Sequence, residues 1–171
     1  MKKKLLITGL ALLGVVAAVG LVIFVPNPLG NKITEWTHAK GYIPYSPKEA
    51  KELAYKRCST CHSIEKITEI CSKCDPPLIV LTQDAKKHIN SHNAMNKTPK
   101  IKQLTDAEIV AIVQVWNGLV GNWESVWRKE DIQKFLGDDQ ALLKLLDTPI
   151  EQRMIEMAMK KEKSPKGLHK H

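Results

Sequence analysis

Cys58-Ser59-Thr60-Cys61-His62 is a C-x-x-C-H pentapeptide, and these are the residues whose types and spacing can do chemistry together. Two thiols separated by two residues can add across the two vinyl groups of a porphyrin as thioethers. The imidazole that follows then lies under the iron and supplies the proximal ligand, so the pattern is the attachment signature of a c-type haem. A second pair, Cys71-Ser72-Lys73-Cys74, is followed by Asp75 instead of histidine and lacks the proximal ligand of a second haem. Three readings compete for it. A short-loop disulfide is the plainest, with a redox-active dithiol and a half-zinc site completed by His88, His92 or a partner chain as the others.

The iron's other face has its candidates on one stretch of helix. Thr82 is expected to cap a helix running through about Met95, with Ala85, His88, Ile89, His92 and Met95 on one face. Met95 is the first candidate for sixth ligand, His92 the alternative one turn earlier, and His88 the next. A thioether favours ferrous iron and raises the potential, whereas a second imidazole lowers it. The plainer readings are a core methionine and solvated surface histidines. His38, His169 and His171 lie in expected tether and tail. A six-coordinate haem leaves no open site for substrate, so no catalytic side chain and no small-molecule substrate are expected.

Placement comes from the N-terminus. Lys2, Lys3 and Lys4 precede Leu5–Val25, twenty-one positions without a charge, and no charge follows until Lys32. A secretory signal core is about 7–15 residues, whereas a spanning helix needs about 20. Residues 1–25 therefore read as an uncleaved, single-pass signal anchor with its lysine end in the cytoplasm. The rest falls on the outer, periplasmic side of a bacterial inner membrane, where spare cysteines tend to pair. The formal net charge of +8 suits anionic lipid or an acidic protein partner. No zinc finger, helix-turn-helix or RNA-binding signature points to nucleic acid.

Residues 26–46 carry Pro26, Pro28, Gly30, Gly41 and Pro44 with little periodicity and read as a tether, with Trp36, Tyr42 and Tyr45 placed either at headgroup level or against the next domain. Ser46-Pro47-Lys48-Glu49 makes a capping box that starts a helix leading into Cys58. Thr105-Asp106-Ala107-Glu108 makes another, opening a helix with Ile109, Ile112, Val113 and Trp116 on its apolar face and an expected end at Asn117-Gly118. From Asn122 onward the chain reads as a helical extension: an amphipathic stretch from Trp123 to Leu136, a short helix around Leu142–Leu146 and a third around Met154–Met159. A lysine-rich tail closes it. The expected organisation is all-α: anchor 1–25, tether 26–46, haem domain 47–121 and extension 122–171.

Ser46 to Leu119 resembles a small class I-type monohaem cytochrome c. In that family a helix runs into C-x-x-C-H and a later helix opening with a Leu-Ser/Thr-Asp-x-Glu phrase crosses it, a phrase matched here by Leu104-Thr105-Asp106-Ala107-Glu108. Ala50, Tyr55 and Trp116 resemble the crossing contacts, and Met95 stands where short-looped members place their axial methionine. The resemblance implies one covalent haem c held by Cys58, Cys61 and His62, and an electron-transfer protein instead of an enzyme. Its partners would be redox proteins, or a respiratory or photosynthetic membrane complex of which it is a subunit. The alternative is a haem enzyme or a gas or redox sensor with an open sixth position. The segment after Asn122 has no counterpart in that family, and its Trp-rich character suggests a fixed subunit unless it completes the domain's own core.

Overall fold

In the computed structural model, residues 28–70 and 74–162 are described, and every regular element among them is a helix. The chain divides into two units, Met1–Ile43 and Pro44–His171. Helix α1 (Pro28–Ala39) belongs to the first. That segment was expected to be an irregular tether. It is helical because Pro28 sits at the first position, where a proline's missing N–H costs nothing, and Leu29, Ile33 and Trp36 recur at helical spacing. The expected anchor, residues 1–25, lies outside the described residues. Among the described residues no helix is long and apolar enough to cross a membrane.

In the second unit both predicted capping boxes form. Ser46 accepts from the Glu49 amide while the Glu49 carboxylate accepts from the Ser46 amide, opening α2 (Pro47–Cys58). Thr105 and Glu108 do the same for α5 (Asp106–Val120). Between them lie α3 (Glu65–Thr68) and α4 (Leu78–Ala94). After α5 come α6 (Lys129–Leu136), α7 (Gln140–Asp147) and α8 (Met154–Glu162), with short 3-10 turns at Glu124–Val126 and Ile150–Gln152.

Helix α5 is the hub, packing against α2, α4, α7 and α8. It can do so because it is apolar on most sides. Ile112, Val115, Trp116 and Leu119 join Ala50 and Ala54 of α2 and Ile155 and Met159 of α8 in one cluster. Ile109 and Val113 join Ile79, Ile132, Leu136, Leu142 and Leu145 in another. Each such large side chain contributes about 1.5–3 kcal/mol on burial. The domain boundary expected at 121/122 is therefore not a structural one: Trp123, Ile155 and Met159 are buried in the same cluster as Ala50 and Trp116.

Three boundaries differ from expectation. Helix α4 starts at Leu78 with Pro77 as its N-cap residue, four residues before Thr82, whose hydroxyl instead donates to the Leu78 carbonyl inside the helix at 2.7 Å. Helix α5 runs past Asn117-Gly118 to Val120, because Gly118 serves a helix crossing and not an end. A Cβ built on it would lie 2.4 Å from Met159 Cβ and 2.7 Å from the Glu156 carbonyl oxygen. The stretch from Trp123 to Leu136 is broken by extended backbone at Trp127 and Arg128, which leaves Val126 and Phe135 exposed while Trp123, Ile132 and Leu136 are buried.

A buried ionic cluster ties the extension down. Arg153 donates to both oxygens of Glu124 at 3.0 and 2.9 Å and reaches Glu156 at 3.5 Å. Asn117 of α5 donates to Glu124 and Glu156, and Asn122 donates to Glu156. Two buried carboxylates thus share one buried guanidinium, with Lys160 3.7 Å from Glu156 at the surface. Charged groups out of water persist only when paired and hydrogen-bonded.

Candidate functional site

The second unit holds a cavity of about 660 Å3, within the roughly 300–1,000 Å3 range of sites that take small molecules and cofactors. Its walls are largely apolar: Ile67, Leu78, Leu81, Ile89, Leu104 and Ile112 all line it. Every residue singled out from the C-x-x-C-H motif lines it as well. Helix α2 delivers Cys58 at its last position, and the turn that follows delivers Cys61 and His62. Both thiols are free.

The three local groups differ in setting. Cys58 is partly buried and receives a hydrogen bond from the Trp116 indole N–H at 3.3 Å. Burial pushes the Cys58 thiol above its usual range, and the Trp116 bond offsets only part of that. Cys61 is exposed. His62 Nδ1 lies 2.8 Å from the Ser63 carbonyl oxygen. A carbonyl oxygen only accepts, so this bond places the ring proton on Nδ1 and leaves the Nε2 lone pair available to a metal.

Helix α4 brings all three distal candidates, His88, His92 and Met95, to the same cavity. Their surroundings separate them. His88 is exposed and engaged through Nε2 with Asp84 one turn earlier, at 3.3 Å. His92 has a buried Nδ1 with no hydrogen-bond partner. Met95 is the C-cap residue of α4 and is 61% exposed. Asn96 follows at φ 53, a left-handed conformation that asparagine tolerates. Asn93 then exchanges hydrogen bonds with the Ile101 main chain, drawing the 96–101 loop back over the cavity wall.

Several contributors escaped the sequence reading. Trp116 was expected as a crossing contact, and its ring does lie 5.2 Å from that of Tyr55, but its bond to Cys58 spans fifty-eight positions and no local pattern announces it. Arg57 donates to the carbonyls of Lys102 and Gln103, fastening the entry of α5 to the end of α2. The Asp84–His88 pair was legible in principle, since an acid four residues before a histidine on a helix places the two together.

Cys74 is disulfide-bonded, and Cys71 lies outside the described residues. Asp75, next to Cys74, lines the cavity, and its carbonyl accepts from the Trp123 indole at 3.1 Å. The extension therefore braces this rim. Among the described residues no group of three or more His, Cys, Asp and Glu side chains is gathered to hold a bare metal ion. No family model matches the chain, and no curated protein or solved structure matches it.

Proposed function

We propose that the chain is a membrane-anchored c-type cytochrome carrying one haem, bound covalently through Cys58 and Cys61, and passing single electrons between redox proteins on the outer face of a bacterial inner membrane. The observation that carries this reading is one apolar cavity lined at once by both free thiols, His62 and a helix bearing His88, His92 and Met95.

The residues present fit the group. The cavity has the size and the apolar walls a porphyrin needs, two unpaired thiols for its vinyl groups and an imidazole whose Nε2 is free to bind iron. Arg57, Lys66 and Lys97 also line it and supply positive charge for two propionates. When bound, haem supplies a one-electron change at its iron. The chain's own part is to hold and to insulate. Ser63 fixes the His62 tautomer, the apolar walls exclude water, and Met95 at the end of α4 is the proposed sixth ligand, with His92 the alternative and His88 engaged by Asp84.

The extension after Asn122 supports the haem domain's own core, so its Trp-rich character is no longer an argument for a fixed subunit. Residues 1–25, the proposed anchor, would confine the search for partners to the membrane surface and raise their effective concentration.

The test is mass spectrometry of the denatured full chain, with one haem mass expected, mapped to the peptide containing Cys58 and Cys61. Two haems, or none, overturn the reading. Oxidised wild type should show the near-infrared charge-transfer band of sulfur ligation, abolished in Met95→Ala together with a fall in potential. A bis-imidazole spectrum lost in His92→Ala would move the sixth ligand one turn along α4. A high-spin ferrous haem that binds carbon monoxide avidly would instead favour an enzyme or sensor.

A further inference from the structure

Helix α1 carries an apolar edge with no role in the haem site. Ile33 and Trp36 stand on one side of it at 37% and 55% exposure, with Asn31 and Glu35 on the other. The turn after the helix extends that edge. His38 Nδ1 hydrogen-bonds the Ile43 carbonyl at 2.9 Å, Tyr42 N–H reaches back to the Thr37 carbonyl, and Gly41 takes the φ of 74° that the reversal needs. The reversal returns Tyr42 to Trp36, with ring centroids 5.7 Å apart. Tyr42 and Ile43 are themselves 71% and 48% exposed. Lys32 and Lys40 are exposed at the border.

We propose that α1 lies flat in the surface of the lipid bilayer, with Ile33, Trp36, Tyr42 and Ile43 in the headgroup region. The proposal rests on the membrane-anchor reading and adds an interfacial element to it. Two facts choose lipid as the occupant. The uncharged run Leu5–Val25 ends three residues before α1 begins, so a chain that leaves the bilayer at Val25 starts α1 at headgroup level. A helix of twelve residues is about 18 Å long, and standing upright it would carry Trp36 and Tyr42 out into water. Lying flat, it seats two aromatic rings with polar tips where one end is apolar and the other wet, and Lys32 and Lys40 meet anionic headgroups.

The experiment places a photoreactive phenylalanine analogue in turn at positions 31, 33, 35 and 36 of the full-length haem-loaded chain in native membranes, followed by illumination and mass analysis. Phospholipid adducts at 33 and 36, absent at 31 and 35, are expected. Cross-links at 33 and 36 to a second protein, or to a second copy of this chain, would overturn the proposal in favour of a protein interface. No adduct at either position, or equal adducts on both sides of the helix, would overturn it outright. Resistance of the wild-type chain to alkaline carbonate extraction reports on the anchor separately, so loss of the anchor reading and loss of the α1 reading are distinguishable.

Discussion

Replacing Gly118 by alanine sets two effects of opposite sign against each other. In the interior of a helix the change ordinarily stabilises by about 1 kcal/mol. At this position the new Cβ would stand 2.4 Å from Met159 Cβ and 2.7 Å from the Glu156 carbonyl oxygen. Neither atom can swing away, since one is fixed to the main chain and the other is part of it. Carbon atoms pack at about 3.5–4.0 Å, so α8 must retreat from α5 by about 1 Å. That movement unseats Met159, which is fully buried, and stretches the 3.3 Å bond from Asn117 to Glu156. Overpacking of a well-filled site costs about 1–3 kcal/mol, and two rigid neighbours put this case at the upper end. The net loss is then about 2 kcal/mol, a fall in Tm of about 8 °C for a domain of this size. Thermal unfolding followed by helical circular dichroism measures it. An unchanged or raised Tm would refute the reasoning, because helix propensity would then be acting alone and α8 would not be seated on Gly118.

Arg153→Met should cost about 3–5 kcal/mol in denaturant unfolding, since it strands Glu124 and Glu156 in the interior without their guanidinium; a loss under about 1 kcal/mol would show that the cluster is hydrated. Burial draws the Lys86 ammonium down, but its hydrogen bonds to Asp139 and Asp106 outweigh that and hold it above the ordinary lysine range. A folded pKa above the unfolded one contributes stability that is fully present below the unfolded value, about 10.4, and is lost as pH rises through the folded one. The stability gap between wild type and Lys86→Met should accordingly stay constant from neutral pH to about pH 10 and narrow above it, and a gap that widens there would contradict the pairing. In the chain with both thiols free, iodoacetamide should modify Cys61 ahead of Cys58, because Cys61 is exposed while burial pushes the Cys58 thiol up; peptide mapping showing equal rates would count against that placement of Cys58.

What was legible in the sequence is what depends on separations of three or four residues. Ser46 with Glu49 and Thr105 with Glu108 close their hydrogen bonds within one turn, so their spacing alone sets the geometry. The cavity face of α4 was visible for the same reason, since His88, His92 and Met95 recur one turn apart. Thr82 misled because a threonine's hydroxyl serves a cap and a back-bond to the fourth preceding carbonyl equally well, and only the burial of Leu78, Ile79 and Val80 chooses between them. The Trp123–Leu136 stretch misled because periodicity does not register the two extended residues Trp127 and Arg128, which reset the helical phase.

The illegible part has one physical origin. Which distant residues meet is decided by how closely helices can approach, and that is decided by small side chains whose sequence signal is weak. Ala50 and Ala54 are fully buried where α2 packs near Trp116, and Gly118 admits α8 on the neighbouring part of α5. These contacts bring Trp116 to Cys58, Asn117 to Glu124 and Glu156, and Trp123 to the carbonyl of Asp75. Each of the four bonds joins the C-x-x-C-H region, its supporting helix or the cavity rim to chain beyond the expected domain boundary or to another helix. Chain that has no place in the resemblance therefore seats the helix whose Ile112 and Trp116 line the cavity and braces the rim at Asp75. Truncating the chain after Gly121 should consequently cost the cavity its shape, and not merely remove an appendage: on the proposed reading, the shortened protein should fail to hold its haem in a low-spin state even with Cys58, Cys61, His62 and Met95 all present. A truncated chain with an unaltered haem spectrum would show that α5 holds its place without α8.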